Sequence, residues 1–495
     1  MKFRDVSFGI VLLSVVEAYL TLYFAPQLRP TGGLGRLGAR LFVLNVILYG
    51  IWAGVIYPFF LSPLRHIPSP KGGSILFGHS LQARFSKPRG EKSRQWMEEI
   101  PNEGLIRIRD FFNQDAVIPT SHEILKTILH DNTYDYEKQP RVVEILRRVL
   151  GDGLILVEGD VHKFQRKHLL PSFQVKVIRD LYPVFWSKAC EMTQMLAGMT
   201  AEPEVEIGVW CTRVTLDIIG IAGFGRDFHS LKNPHDEFVE QYNMLLEPDS
   251  AKAIFFALNL MFPGKLVNSI PFWDIPKKFL NISGNLNNFA YNLSKDRRAE
   301  LSSPKLSTAE KEKRHDILSL LVKSNDFTDH ELAHQVLTMM AAGHETTSST
   351  LSWCIYFLAL NPQIQTELRE EIRASLPSPN VLQSESITAA QIDTLALLNG
   401  VCNETLRLYP TVPVTTREAI RPTRLGNYML PAGTSVIISP WAINRSASFW
   451  GEDALEFKPG RWINADGSPN KTGGAMSNYS NMTFLHGPRS CIGQG

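Results

Sequence analysis

The sequence has few cysteines and no excess of charge of either sign. Its 495 residues contain five scattered cysteines. None of them forms a CxxC pair, which argues against a disulfide framework and favours a reducing compartment. Lys and Arg number 51 against 49 Asp and Glu, a net charge of +2. No long basic block is present, so nothing indicates nucleic acid as a partner. Internal repeats are also absent.

Two apolar stretches open the chain, and we predict that residues 1–61 form a membrane anchor. Residues 41–61 are uncharged and match the ~20 residues needed to cross a bilayer. Residues 8–25 are shorter and contain Glu17, so they form a second span, an interfacial helix or a signal-like segment. If both stretches span, the N-terminus and the remaining chain share one face of the membrane.

A proline-rich segment, residues 62–73, follows the second apolar stretch. Prolines fix φ and disfavour helix in the residue before them. The segment therefore predicts a stiff hinge out of the membrane, and residues 74–495 are predicted to form one further domain.

One long helix is predicted from Thr328 to about Leu360. Thr328 and Glu331 match a capping box, and Asn361-Pro362 supplies the stop. Its middle, residues 341–350, is rich in hydroxyl residues that form helices poorly. This polar part either faces a polar cleft or neighbouring helix, or serves as a proton relay. A second helix is predicted over 391–409, and residues 412–445 alternate like strands broken by turns.

The last twelve residues, from Phe484, place one cysteine between two glycines, with an arginine two residues before it. Glycine permits close backbone approach, and the Arg489 guanidinium suits a carboxylate such as a haem propionate. A lone cysteine is most often a small buried hydrophobe. The pattern F-x-x-G-x-R-x-C-x-G, however, resembles the cysteine-ligand loop of the cytochrome P-450 (haem-thiolate monooxygenase) superfamily.

Three more motifs carry the same resemblance in the order that the family has them. They are A-G-x-E-T at 342–346, E-x-x-R at 404–407 and F-x-P-x-R-W at 457–462. The resemblance covers roughly residues 60–495 and is to microsomal, fungal-like members. It implies a mainly α fold with a small β region (the cytochrome P-450 fold), preceded by one or two N-terminal transmembrane helices.

The resemblance also implies haem b as the cofactor, with Cys491 as the iron ligand. In such a site the thiolate donates electron density to iron and favours O–O cleavage. Other implied cofactor-binding residues lie in the cysteine loop or would reach a propionate: Phe484, Gly487, Arg489 and Gly493 in the loop, and His162, Arg166 and Arg417 elsewhere.

The remaining roles follow from the same resemblance. Thr346 would donate to the distal oxygen and Glu345 would relay protons, with local unwinding of the long helix making room for oxygen. Glu404, Arg407 and Arg461 would form a structural triad near the haem. The substrate cavity would be lined by Ala342, Val412, Val414 and Thr415.

The function expected from this resemblance is insertion of one atom of O2 into a lipophilic lipid or secondary metabolite. Electrons would come from NADPH through a separate NADPH-cytochrome reductase, in the endoplasmic reticulum membrane, with the catalytic domain facing the cytosol. A haem-thiolate peroxide isomerase or dehydratase is one alternative. Because family members continue past the cysteine and this chain stops four residues after Cys491, the other is a non-catalytic or degenerate haem-binding membrane protein. The short C-terminus is expected to reflect a fragment, a truncated gene model or a degenerate product.

Overall fold

The computed structural model describes residues 3–494 except 29–32, 200–203, 234–236, 247–248, 263, 271–272, 313 and 377–387. The predicted class, mainly α with a small β region, is confirmed. The chain divides into two compact units. The first contains Met1–Tyr136 and Val414–Ser446, and the second contains Glu137–Pro413 and Ala447–Gly495.

The α-helices are numbered in chain order. They are α1 (Phe3–Phe24), α2 (Gly33–Ile51), α3 (Ser80–Phe85), α4 (Glu91–Glu99), α5 (His122–Lys126), α6 (Pro140–Leu150), α7 (Gly159–Leu169), α8 (Val175–Arg179), α9 (Tyr182–Gly198), α10 (Ile207–Phe224), α11 (Glu237–Leu246), α12 (Ser250–Met261), α13 (Gly264–Asn268), α14 (Ile275–Ser302), α15 (Thr308–Glu312), α16 (Ile317–Ser324), α17 (Asp329–Leu360), α18 (Pro362–Ser375), α19 (Ala389–Asp393), α20 (Ala396–Leu408), α21 (Pro440–Ile443) and α22 (Ala447–Trp450).

The strands are short. They are β1 (Leu105–Arg109), β2 (Asp115–Pro119), β3 (Tyr136–Glu137), β4 (Thr415–Ala419), β5 (Thr423–Leu425), β6 (Tyr428–Leu430) and β7 (Ser435–Ile438). One sheet has the order β1-β2-β7-β4-β3, and β5 and β6 form a hairpin. The pairs β1–β2 and β4–β7 are antiparallel, whereas β2 and β7 are parallel.

The N-terminal helices pack against each other, and α2 continues as a wider π-helix over Trp52–Leu61. Together, Gly33–Leu61 is apolar and long enough to cross a membrane, whereas the apolar part of α1, Phe8–Phe24, is shorter. Asn45 Nδ2 donates hydrogen bonds to Ser14 Oγ (3.1 Å) and Glu17 Oε2 (2.6 Å). The acidic side chain of the first apolar stretch therefore has a polar partner on α2.

In the second unit, α17 packs against α10 and α14 and runs through the hydrophobic core. Its N-terminus carries the predicted capping box of Thr328 and Glu331. A Cβ at Gly343 would lie 2.9 Å from Ile219 Cδ1 of α10, so a larger residue there would make the end of the Ile219 side chain move. The glycine of the A-G-x-E-T motif thus leaves room for Ile219 between the two helices.

The local unwinding expected in α17 is wrong. The helix is uninterrupted from Asp329 to Leu360. Thr346 Oγ1 donates to the Ala342 carbonyl (2.6 Å) and Thr347 Oγ1 donates to the Gly343 carbonyl (2.7 Å). The hydroxyl groups therefore bond to the preceding turn of a closed helix.

The single helix predicted over 391–409 is also wrong, because the chain forms α19 and α20 with a break between them. Leu395 has extended backbone at the break. The Glu371 carboxylate of α18 accepts hydrogen bonds from the N–H groups of Leu397 (2.8 Å) and Leu398 (2.9 Å). These first-turn donors of α20 have no partner within their own helix, so a carboxylate from an earlier helix fixes where α20 begins.

Candidate active site

The cysteine loop closes on itself behind the Cys491 thiol. The Cys491 N–H donates to the Phe484 carbonyl (2.9 Å), and the Ser490 N–H donates to the Gly487 carbonyl (3.0 Å). Gly487 has φ +76°, a conformation that glycine adopts without strain. These turns fix the backbone from Phe484 to Cys491, and Cys491 itself is exposed.

Two groups beside Cys491 favour its thiolate form. The pKa of the thiol is raised overall, because burial among protein atoms outweighs a hydrogen bond from the Gly493 backbone and the positive charge of Arg166, which both act to lower it. A backbone donor and a cation beside a cysteine are features of metal-ligating thiolates, so the residues present fit the haem ligand.

Arg166 joins α7 to the cysteine loop. Its Nη1 donates to the Ser490 carbonyl (2.5 Å) and its Nη2 donates to Ser490 Oγ (3.2 Å). The two bonds use the planar fork of the guanidinium, which lysine cannot reproduce. The residue before the ligand cysteine is therefore held from outside the loop.

Arg489 is paired with a carboxylate of the chain itself. It forms an ion pair with Glu158, the residue directly before α7, and its side chain is 4% exposed. Lys138 Nζ lies 3.3 Å from the same Glu158 carboxylate. His162 is buried, and this burial, with the charges of Arg489 and Lys138, lowers its pKa to about 4. His162 is therefore neutral at neutral pH.

The E-x-x-R segment meets the F-x-P-x-R-W segment at one buried carboxylate. Glu404 Oε1 accepts hydrogen bonds from Arg407 Nη2 (2.8 Å) and Arg461 Nε (2.9 Å). Glu404 Oε2 accepts from Arg407 Nε (2.8 Å) and Trp462 Nε1 (2.9 Å). Burial alone would raise the pKa of Glu404, but these hydrogen bonds and the two cations hold it below its ordinary value.

The acid–alcohol pair lies on a partly exposed face of α17. Ala342 and Glu345 are exposed, and Thr346 is half-buried. Glu345 is exposed as a whole residue, but partial burial of its carboxyl group among protein atoms raises the pKa of that group. A raised pKa favours the protonated carboxyl group, the form that can act as a proton donor.

His344, next to this pair, points into the protein. It is 1% exposed, and its ring contacts that of Tyr242 edge-on with the centroids 5.3 Å apart. Burial lowers its pKa to about 4. The structure thus gives His344 a packing role.

The other predicted site residues are distributed over both units. Val412, in the second unit, is 48% exposed. Val414, Thr415 and Arg417 belong to the first unit, on or beside β4. There Arg417 Nη1 donates to Thr415 Oγ1 (3.1 Å) and to the Thr416 carbonyl (2.8 Å). Their roles toward substrate and propionate stay predictions.

Sequence reasoning did not identify three partners in this site. Glu158 pairs with Arg489, Ser490 binds Arg166, and Trp462 donates to Glu404. Ser490 and Trp462 stand within motifs that the sequence analysis used and Glu158 does not. A sequence pattern does not show that the Glu158 carboxylate meets the Arg489 guanidinium more than 300 residues later.

Comparison with known proteins places these features in one family. The family model "Cytochrome P450" matches residues 68–495. The chain is 37% identical to cytochrome P450 monooxygenase sphH of Aspergillus fumigatus, over 98% of this chain and 89% of that protein. It is 36% identical to cytochrome P450 monooxygenase ptmK of Penicillium ochrochloron, over 92% of this chain and 89% of that protein.

Proposed function

The chain belongs to the cytochrome P450 family, and we propose that it inserts one oxygen atom from O2 into a lipophilic secondary metabolite. Family membership makes it a haem-thiolate monooxygenase with haem b as its cofactor. The proposed part is the substrate class and the supply of electrons from NADPH through a separate reductase. Similarity to named fungal monooxygenases supports both, because such enzymes share this reaction type.

The observation that carries the proposal is the exposed Cys491 thiol in its closed loop. The haem iron, once bound, supplies the activation of O2. Cys491 would be its ligand, and Arg166 positions that ligand through Ser490. The loop around the sulfur is shaped by Phe484, Gly487 and Gly493. Arg489 would bind a haem propionate through its guanidinium group, which pairs with Glu158 in this structure.

Proton delivery is the proposed task of Glu345 and Thr346. The raised pKa of Glu345 favours the protonated carboxyl group, the form that can donate a proton. Thr346 Oγ1 donates to the carbonyl of Ala342, and its lone pairs can accept a hydrogen bond from water or from protonated Glu345. Proton delivery would require the Thr346 hydroxyl to turn from the Ala342 carbonyl toward the reacting oxygen and to regain a proton from Glu345 or water as it gives up its own.

Glu404, Arg407 and Arg461 are proposed to act as scaffold and not in proton transfer. Their mutual hydrogen bonds keep Glu404 ionised, because its pKa is lowered. An ionised, buried and fully bonded carboxylate is unsuited to exchanging protons with a substrate. It is well suited to holding α20 against the Pro459–Trp462 turn.

Membrane attachment is proposed to use both N-terminal helices as a hairpin. The length and apolar character of Gly33–Leu61 support one span, and the bonds from Asn45 to Ser14 and Glu17 support the second. In the endoplasmic reticulum this hairpin would place the N-terminus and the catalytic part together on the cytosolic side, where the reductase and NADPH are found. The test is digestion of an N-terminal tag by protease added to intact microsomes, and a protected tag would contradict the hairpin.

The reaction is tested with the full chain in membranes. We expect a strongly red-shifted Soret band in the reduced, CO-bound difference spectrum, and loss of that band in Cys491→Ala, since only a proximal thiolate produces the shift. Cys402→Ala, which removes the thiol of another residue classed as exposed, although that thiol is itself surrounded by protein atoms, is the control and should keep it. With a reductase and candidate substrates, NADPH consumption should be coupled to product. Product formation without NADPH would instead support the peroxide isomerase.

A further inference from the structure

Two cysteines from distant parts of the sequence lie side by side between α17 and α20. Cys354 of α17 packs in one hydrophobic cluster with Val401 of α20, and its Sγ donates a hydrogen bond to Thr405 Oγ1 (3.3 Å). Cys402 follows Val401 directly and lies three residues before Thr405, which makes it a neighbour of that hydroxyl group on the helix surface. The Cys402 thiol in turn donates a hydrogen bond to the Cys354 sulfur.

The hydrogen bonds around this pair of thiols run in one direction. The Thr405 hydroxyl group donates to the Val401 carbonyl (2.8 Å), so its oxygen is left to accept from Cys354. Cys402 thus donates to Cys354, Cys354 donates to Thr405, and Thr405 donates to the backbone of its own helix. Both cysteines are free thiols, and the packing of α17 on α20 places one sulfur against the other.

This arrangement gives the two thiols different acidities. The hydrogen bond from Cys402 lowers the pKa of Cys354, although burial acts to raise it. The same hydrogen bond, together with burial, raises the pKa of Cys402 well above its ordinary value. The thiolate is the nucleophilic form of cysteine. Cys354 is therefore the thiol of this pair that reacts first with an oxidant, while Cys402 keeps its proton beside it.

The place that the pair occupies suits a small oxidant. Cys402 is exposed as a residue, whereas its thiol lies among protein atoms, and Cys354 is 8% exposed. Hydrogen peroxide is close to water in size, whereas glutathione is a tripeptide. Cysteines that respond to peroxide have a lowered pKa and often lie next to a second cysteine that resolves the first oxidation product. Both features are present here.

We propose that Cys354 and Cys402 form a modification site at which hydrogen peroxide creates a reversible disulfide bond between α17 and α20. The Cys354 thiolate attacks one oxygen of the peroxide, the O–O bond breaks, and a sulfenic acid and hydroxide form. The Cys402 sulfur then attacks the Cys354 sulfur, and the sulfenic oxygen leaves as water with the Cys402 proton. Hydroxide takes up the proton that Cys354 had lost. Two thiols and one peroxide thereby give one disulfide and two waters, and the peroxide oxygens gain the two electrons that the sulfurs lose.

The disulfide bond would cross-link two helices that carry other parts of the candidate site. Glu345 lies on α17, nine residues before Cys354, and Glu404 lies on α20, two residues after Cys402. The helix of the acid–alcohol pair would thus become covalently joined to the helix of the buried Glu404 carboxylate. Since both cysteines can return to thiols, the link would be removed by a thiol reductant.

The other buried cysteines near α17 are expected to stay reduced. Burial raises the pKa of Cys211 of α10, whose thiol is hydrogen-bonded to Ser352 of α17. Burial likewise raises the pKa of Cys190 of α9. Both side chains are buried, so neither combines a lowered pKa with access from solvent.

Peptide mapping of the full chain in phospholipid nanodiscs tests this proposal. The protein is treated with a few equivalents of hydrogen peroxide, the remaining thiols are alkylated, and trypsin is added without a reductant. The tryptic peptides 324–369 and 374–407 contain one cysteine each, Cys354 and Cys402, whereas 189–213 contains both Cys190 and Cys211. The mass of a linked pair of peptides therefore identifies the bond. The midpoint of thermal unfolding verifies that each protein is folded before treatment.

We expect the link between 324–369 and 374–407 at a yield several-fold above that of any link to 189–213, and its loss after dithiothreitol. Cys354→Ala and Cys402→Ala should each abolish it, whereas Cys190→Ala is the control and should retain it. Alkylation of both Cys354 and Cys402 after peroxide treatment of the folded protein would overturn the proposal. Links from 324–369 to 189–213 at an equal or higher yield would overturn it as well, because Cys354 would then lack a preferred partner.

Discussion

Thr346 and Thr347 are adjacent hydroxyl residues with the same local bonding and different proposed roles. Each donates to the carbonyl four residues earlier, at 2.6 and 2.7 Å. Thr346→Ala should uncouple NADPH consumption from product and raise hydrogen peroxide, because proton delivery fails. Thr347→Ala removes an equivalent helix bond and should leave coupling unchanged. Peroxide yield per NADPH is the measurement, and equal values in the two variants would remove the relay role from Thr346.

His344 makes the stability of the protein depend on pH. Burial lowers its pKa to about 4 in the folded state, from about 6.5 in an unfolded chain. Between these values the unfolded chain takes up a proton that the folded one does not, so the free energy of unfolding falls as pH falls from 6.5 to 4. His344→Leu should reduce this dependence, measured by denaturant unfolding across that range.

The pKa of His162 is also lowered to about 4, so His162 contributes to the same pH dependence. Part of the slope of the unfolding free energy against pH therefore remains in the His344→Leu variant. His130→Gln, at an exposed side chain, is the control and should not change the slope. An unchanged slope in His344→Leu would show that His344 is already accessible to protons in the folded state.

At the scale of elements, Glu404 holds α20 to the Pro459–Trp462 turn. Glu404→Gln leaves the cations of Arg407 and Arg461 without their carboxylate, and breaking a buried pair in this way costs about 3–5 kcal/mol. We expect a lower midpoint of thermal unfolding and loss of the red-shifted CO band. Asp453→Asn, which alters the more exposed carboxylate bonded to Lys458 and Arg461, is the control and should have a smaller effect.

The contact between α7 and the cysteine loop gives a second prediction at this scale. Arg166→Lys retains the charge but loses the fork that binds Ser490. The loosened loop should convert part of the CO band from the red-shifted to the unshifted position. Lys163→Ala, on the same helix and paired with exposed Asp160, should keep the band. A full red-shifted band in Arg166→Lys would mean that the loop holds Cys491 without α7.

The elements predicted correctly are those fixed by nearby residues. Both ends of α17 followed from Thr328, Glu331 and Pro362, all of which act within one turn of the helix ends. The start of α20 did not, because it depends on Glu371 of α18, 26 residues before Leu397. A hydroxyl side chain can accompany or disrupt a helix, depending on which backbone carbonyl accepts its hydrogen bond. The sequence does not show which carbonyl accepts, so the uninterrupted course of α17 was not predicted.

In the candidate site, too, some contacts could be predicted from the sequence and others could not. The family pattern predicted a triad of Glu404, Arg407 and Arg461, and the structure brings its carboxylate and guanidinium groups together. The roles of Cys491 and Glu345 stay predictions. The partnerships of Arg489 with Glu158 and of Arg166 with Ser490 join residues more than 300 positions apart. Only the folded chain reveals such contacts, since no periodicity or spacing encodes them.

At the scale of the whole molecule, the chain consists of a first unit that contains α1, α2 and the mixed sheet and a second, helical unit that carries Cys491. The sequence predicted an anchor and a catalytic part from composition and motifs alone. It left the number of spans open, because the first apolar stretch is short and contains Glu17. Asn45, 28 positions later, bonds to this carboxyl group, which supports the proposed second span.

Two hydrogen bonds join the sheet of the first unit to the apolar segment that is proposed to span the membrane. Asn113 Nδ2 donates to the Gly54 carbonyl (2.8 Å), and Arg107 Nη2 donates to the Pro58 carbonyl (2.6 Å). In bilayers thinner or thicker than its apolar length, a spanning helix changes its tilt at a cost of fractions of a kcal/mol per Å. If the segment spans as proposed, the sheet bonded to it would incline with it, and the acyl chain length of the surrounding lipids would set its angle to the membrane surface.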